Sequence, residues 1–136
     1  MFELAHELHD KTLVVSVAGE LDLETVPRLR ALVDGELARS GAANLLLDLS
    51  EASFLDSSGL GVILGRYREI SGAGGRMGIT GARKAVRRVL RLSGVTQIIG
   101  MYASQATGLK ALARRRRGKP AKRSRAAGRE VSGGEW

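Results

Sequence analysis

Asn44-Leu45-Leu46-Leu47-Asp48-Leu49 is a continuous apolar run with one acid in it. A strand with one wet face alternates apolar and polar residues. A run that stays apolar at successive positions fits a strand covered on both faces, as in a parallel sheet. Working outward, Phe54-Leu55-Asp56-Ser57-Ser58-Gly59-Leu60-Gly61 follows it, and Leu60, Ile63, Leu64, Tyr67 and Ile70 then recur at spacings of three and four. That spacing predicts an amphipathic helix. On the upstream side Leu29, Leu32, Val33 and Leu37 give a second helical stripe. Asp22 or Thr25 can cap that helix, Pro27 falls in its first turn where a missing N–H costs little, and Gly41 ends it.

Further out, Phe2–Leu8 alternates loosely and Thr12–Ala18 is short and β-branched, with His9-Asp10-Lys11 as a turn between them. The pair reads as a hairpin stopped by Gly19. Past the loop Ser71–Gly75, Arg76–Thr80 predicts a short strand weakened by glycine. Val86, Val89, Leu90 and Leu92 predict a third helix ended by Ser93-Gly94, Ile98–Tyr102 a last strand, and Ser104 the cap of a final helix through Leu109 and Leu112. Strands alternating with helices imply an α/β domain with a mostly parallel sheet behind an N-terminal hairpin.

The chain has 136 residues, enough for one domain with a proper core. Aromatic residues make up 4%, so the core must come from Leu, Val, Ile and Ala. Cysteine is absent, which excludes disulfides and thiolate metal sites. No apolar stretch approaches the ~20 residues that span a bilayer. Met1–Glu7 lacks the basic and apolar regions of a secretory signal. A soluble cytoplasmic protein with no membrane partner is the expectation.

The net charge of +8 divides unevenly. Residues 113–136 hold nine Lys/Arg against Glu130 and Glu135, whereas residues 1–112 hold 13 basic and 12 acidic residues. The chain therefore reads as a nearly neutral domain over 1–112 and a basic tail over 113–136. That tail has almost nothing to bury and reads as disordered.

Candidate chemistry is sparse. His6 and His9 lie near the first turn without ligands at metal spacing and read as surface residues. Ser57 lacks the first glycine of Gly-x-Ser-x-Gly, and no histidine follows it. Gly59, Gly61 and Gly65 place the last glycine one residue late for a dinucleotide fingerprint. Gly61 and Gly65, four apart, read instead as letting their helix approach the sheet. Arg83, Arg87 and Arg91 share a helix face, which reads as solvated. No nucleophile–base or acid–base pair can be assembled, so no enzyme and no cofactor is expected.

Asp56-Ser57-Ser58 remains. Capping a helix takes one such residue, and three stand in a row, which leaves a spare hydroxyl. A phosphate there would add roughly −1.5 to −2 charge. With Asp56 beside it, and Asp22 and Glu20 at the end of a neighbouring strand, the patch would become strongly anionic and repel a partner that docks on the uncharged form.

With these residues in view, the chain resembles the anti-sigma-factor antagonists of the STAS superfamily, and among them the sporulation group acting in the forespore sigma factor F pathway. The matching stretches are Gly19-Glu20-Leu21-Asp22, Phe54 through Tyr67, Ala85–Leu90 and Leu92-Ser93-Gly94-Val95. The resemblance covers residues 1–112. It implies a mixed sheet with about four helices packed mainly on one side, phosphorylation of Ser57, and Ser58 left as the cap. It also implies partner switching through a surface at Glu20, Asp22, Asp56, Ser57, Ser58, Gly59 and Leu60. An anti-sigma factor that is a serine kinase binds the unphosphorylated form, frees its sigma factor and later phosphorylates the serine; a PP2C-type phosphatase reverses this. The tail has no counterpart in the family. The alternative reading is a polyanion- or nucleic-acid-binding adaptor acting through that tail, although no aromatics interleave its basic residues for base stacking.

Overall fold

The computed structural model describes residues 1–114. Residues 115–136 lie outside the described residues, and so do the readings of the tail as disordered or as a polyanion binder. The elements, in order, are β1 (Phe2–His9), β2 (Thr12–Leu21), α1 (Val26–Ser40), β3 (Asn44–Leu55), α2 (Ser57–Gly72), β4 (Met77–Thr80), α3 (Lys84–Leu92), a 3-10 turn (Val95–Gln97), β5 (Gly100–Tyr102) and α4 (Gln105–Ala113). The strands lie in the order β1-β2-β3-β4-β5. β1 runs antiparallel to β2, and every later neighbour is parallel. This is the expected mixed sheet behind an N-terminal hairpin.

The two faces are clad unequally. Leu13, Val15, Val17, Leu45, Leu47, Leu49 and Ile79 join a large core with Leu29 and Val33 of α1, Ile63 and Ile70 of α2, and Val86 and Leu90 of α3. On the opposite face Val14 and Leu46 form a small core with Leu112 of α4, flanked by Leu109 and Tyr102. The run 44–49 is thus apolar at alternate positions for two different reasons, as its pattern required. Asp48 fits because Gln105 of α4 donates to its Oδ2 at 2.6 Å.

Three boundaries differ from the sequence reading. Gly19 does not stop β2; it sits inside the strand at φ 105°, and a Cβ there would lie 1.9 Å from the Met1 carbonyl oxygen. Glycine serves a close approach of two backbones, and the strand runs on to Leu21. β3 likewise continues through the polar stretch Ser50–Ser53 to Leu55. Its register against β2 shifts between Ser16 and Ala18 and again between Gly19 and Glu20. Each bulge absorbs a residue and resets which side chains point inward, so Ala52 and Leu55 are buried although the spacing from Leu49 is irregular. β5 is only three residues long, because Val95–Gln97 turns as a 3-10 helix and buries Ile99 while leaving Ile98 exposed. Leu92 is 73% exposed at the end of α3 and takes no part in the core.

Candidate functional site

β2 and β3 end side by side, and the peptide N–H of Asp56 donates to the Leu21 carbonyl at 3.3 Å. Ligand-binding groups on open parallel sheets collect at these carboxyl ends. The chain leaves β3 with Asp56 still extended, at φ −110° and ψ −170°. That conformation swings its carboxylate over the first turn of α2, where Oδ1 accepts from the N–H of Ser58 at 2.9 Å and of Gly59 at 3.1 Å.

Asp56 is therefore the cap, and Ser58, already helical, is not. Ser57 is the first residue of α2 and is exposed, and the cap bonds leave its hydroxyl free of that task. Ser58 is half-buried. Gly59 is buried, and a Cβ on it would fall 2.3 Å from Leu55 Cδ1 and 2.9 Å from the Leu21 carbonyl oxygen. The helix start is pressed against the ends of both strands at that point. Leu60, one step on, packs half-buried on the main core.

Asp22 stands in the adjoining turn, and its carboxylate is also employed. Oδ1 accepts from the N–H of Glu24 at 3.0 Å and of Thr25 at 3.1 Å. Thr25 donates its hydroxyl to the Glu20 carbonyl at 2.8 Å and accepts from the Asp22 N–H at 2.9 Å. Sequence left the choice between Asp22 and Thr25 open; the two close the β2–α1 turn together. Glu20 is exposed and pairs across the sheet with Phe54. Asp22 and Asp56 to Leu60 thus share one rim, while the Glu20 side chain leaves the strand on the face that α4 partly covers.

One feature of the rim was not read from the sequence. A groove of about 460 Å³ starts at Ser58 and runs between α1 and α2, past Ala31, Asp34, Gly61, Gly65 and Arg66. A Cβ at Gly61 or Gly65 would meet nothing within 4 Å. These glycines open the groove and do not bring the helix onto the sheet, contrary to the expectation from their spacing. Arg66 is buried, its Nη1 donating to Asp34 Oδ1 at 2.9 Å and Oδ2 at 3.0 Å. The signal for it was an arginine at a core position of the stripe Ile63–Ile70.

Residues 3–108 match the family model described as the STAS domain. The chain belongs to the STAS domain family. An anti-sigma F factor antagonist of Paenibacillus polymyxa is 36% identical over 107 residues, covering 79% of this STAS chain and 92% of that protein. An anti-sigma factor antagonist of Mycobacterium paratuberculosis has a solved structure that superposes with a TM-score of 0.75 at 31% identity, over 84% of this chain and 96% of that one. The Bacillus cell fate determinant SpoIIAA, solved in its phosphorylated form, superposes at 0.64 with 28% identity, over 82% and 98%.

Elsewhere on this STAS domain, His9 Nε2 lies 2.7 Å from Glu7 Oε1 and His6 Nε2 3.4 Å from Glu36 Oε1, both on the surface. Among the described residues no three His, Cys, Asp or Glu side chains are grouped to hold a metal ion, and no helix is long and apolar enough to cross a membrane.

Proposed function

We propose that this STAS domain is an anti-sigma-factor antagonist switched by phosphate on Ser57. Unphosphorylated, it binds a serine-kinase anti-sigma factor through Asp56–Leu60 with Asp22 and Glu20 beside them, and so frees a sigma factor. The kinase then phosphorylates Ser57, and a PP2C-type phosphatase restores it. Residues 1–112 are the working unit, acting in the cytoplasm without catalysis or a cofactor of their own.

The observation that carries this reading is the exposed hydroxyl of Ser57 next to a helix cap already filled by Asp56. The N–H groups of Ser58 and Gly59, which could have folded a phosphate into the helix end, are held by the Asp56 carboxylate. The helix dipole still favours negative charge at this terminus. A phosphate is therefore tolerated by the fold but kept at the surface, where its charge of roughly −1.5 to −2 stands beside Asp56 and faces the partner. Binding is lost while the fold is kept.

Incubation with the partner kinase and ATP should add one phosphate, mapped to Ser57 by mass spectrometry. Incorporation that persists in Ser57→Ala overturns the assignment. Ser57→Asp should weaken binding to the anti-sigma factor more than tenfold with the thermal melt almost unchanged. A melt lowered by many degrees would make Ser57 a structural residue instead.

A further inference from the structure

The face of the sheet that carries α4 is only partly covered. α4 packs over Val14 and Leu46. Toward β1 the register places Glu3 beside Ala18, Ala5 beside Ser16, and Glu7 beside Val14 on this face. On the other side of β2, Asp48 stands beside Ser16 and Glu51 beside Ala18. The middle of this area is thus paved with Ala5, Ser16 and Ala18, and its borders are four carboxylates. Glu3, Ala5, Glu7 and Glu51 are exposed. No strand position on this face is Lys or Arg; Arg83 approaches Glu51 only from the rim, at 3.5 Å. The result is a shallow acidic trough with small residues along its floor.

The described chain ends at the mouth of this trough. Leu112 packs on Val14, whose β1 neighbour is Glu7. Asn44 Nδ2 donates to the Leu112 carbonyl and to Thr12 Oγ1, each at 3.3 Å. Arg76 Nη1 donates to the carbonyls of Ala111 and Arg114, each at 3.0 Å. The last residues of α4 are thereby fixed beside the start of β2, and the sequence that follows opens Arg115-Arg116-Arg117-Gly118-Lys119. From Glu7 to Glu3 is about 14 Å along the strand. Eleven residues reach more than twice that when extended, at ~3.3–3.6 Å each.

We propose that the basic segment 115–125 docks on this acidic sheet face of its own chain. Seven of its eleven residues are Lys or Arg, and the face offers carboxylates with no strand Lys or Arg among them, the imidazole of His9 standing 2.7 Å from Glu7 at one end. Exposed ion pairs are individually weak, but a tethered segment meets its site at an effective concentration in the millimolar range. The docked state is therefore one that salt dissolves, since a Debye length near 10 Å at 0.1 M leaves such pairs poorly screened only at lower ionic strength. Docking also occupies the basic groups that would otherwise attract nucleic acid. The inference is independent of any event at Ser57.

The full chain tests it. Backbone amide shifts of Glu3, Ala5, Glu7, Ser16 and Ala18 should differ at low salt between the wild type and the full-length variant Arg115→Gln, Arg116→Gln, Arg117→Gln, Lys119→Gln, and should coincide at about 0.5 M salt, where screening is nearly complete. In a second full-length variant, Glu3→Lys with Glu7→Lys, the basic segment should be displaced. A short DNA duplex should then bind several-fold more tightly than it binds the wild type. The gain should exceed what the same two substitutions give when the four Gln replacements are also present, since the added positive charge alone attracts DNA; an equal gain in both backgrounds overturns the proposal. Identical shifts on this face at low salt, or shifts confined to another surface, overturn the proposal. Equal DNA affinity of the wild type and the Glu3→Lys, Glu7→Lys variant overturns it as well.

Discussion

Asp56 does at the scale of one residue what three neighbours could have done. Its side chain bridges two N–H groups at the head of α2, and Ser57 and Ser58 are inside the helix. Replacing Asp56 with Ala should cost about 1 kcal/mol, within a range of ~0.5–2, read as a lower urea midpoint at constant slope. Asp56→Asn should keep most of it, because the amide oxygen still accepts. Asp and Ser cap almost equally well, so composition alone left the assignment open. What decided it was the length of β3, and that depends on bulges against β2 which no local pattern announces. Surface charge gives a second test at this scale. The hydrogen bond from Arg39, together with the nearby charges of Arg39 and His6, holds the Glu36 carboxyl below its usual range despite partial desolvation. The folded state therefore gains from this pair above the ordinary carboxylate range and loses it as pH falls through the depressed value. In Arg39→Ala, the Glu36 titration followed by carbonyl NMR should move up toward the ordinary value; an unmoved titration would dismiss the pair.

Helix α2 shows how one residue type serves two ends within a single element. Gly59 is forced by contact with Leu55 and the Leu21 carbonyl, whereas Gly61 and Gly65 border open space. Alanine is favoured over glycine in a helix by roughly 0.5–1 kcal/mol. Gly61→Ala and Gly65→Ala should each raise stability by up to about that amount. Gly59→Ala should lower it, since the new methyl must push back a strand-end carbonyl. Thermal melts of the three variants decide it, and a Gly59→Ala melt above wild type would contradict the close packing. The helix itself was readable from Leu60, Ile63, Leu64, Tyr67 and Ile70, which all pack on the main core as the period demands. The groove was not readable, because glycine spacing reports equally on a helix pressed to a neighbour and on one held away by its other residues. Here the ion pair between buried Arg66 and exposed Asp34 joins α1 to α2 beside the groove.

For the whole molecule, the central fact is that β3 carries two cores on opposite sides of one sheet. The apolar run 44–49 disclosed this in advance, since Leu45, Leu47 and Leu49 could not share a face with Leu46. Position along the chain did not disclose how unequal the cores are: Leu46 meets a small cluster with Val14 and Leu112, while Leu47 belongs to the main one. Both leucines are at most 1% exposed, so truncating either to Ala should cost about 2–5 kcal/mol. Their consequences should nevertheless differ in kind. Leu46 also fills the space next to Gly108, where a Cβ would stand only 2.8 Å from its Cδ1. Leu46→Ala therefore removes the main anchor of α4, and local opening of that helix becomes easier than global unfolding. Amide exchange in Gln105–Ala113 should accelerate far more than exchange in α1 or α2. Leu47→Ala instead weakens the core shared by three helices, and exchange should quicken in all of them together. Uniform acceleration in Leu46→Ala would mean that the two cores unfold as one unit, and that α4 is no more separable than the helices on the opposite face.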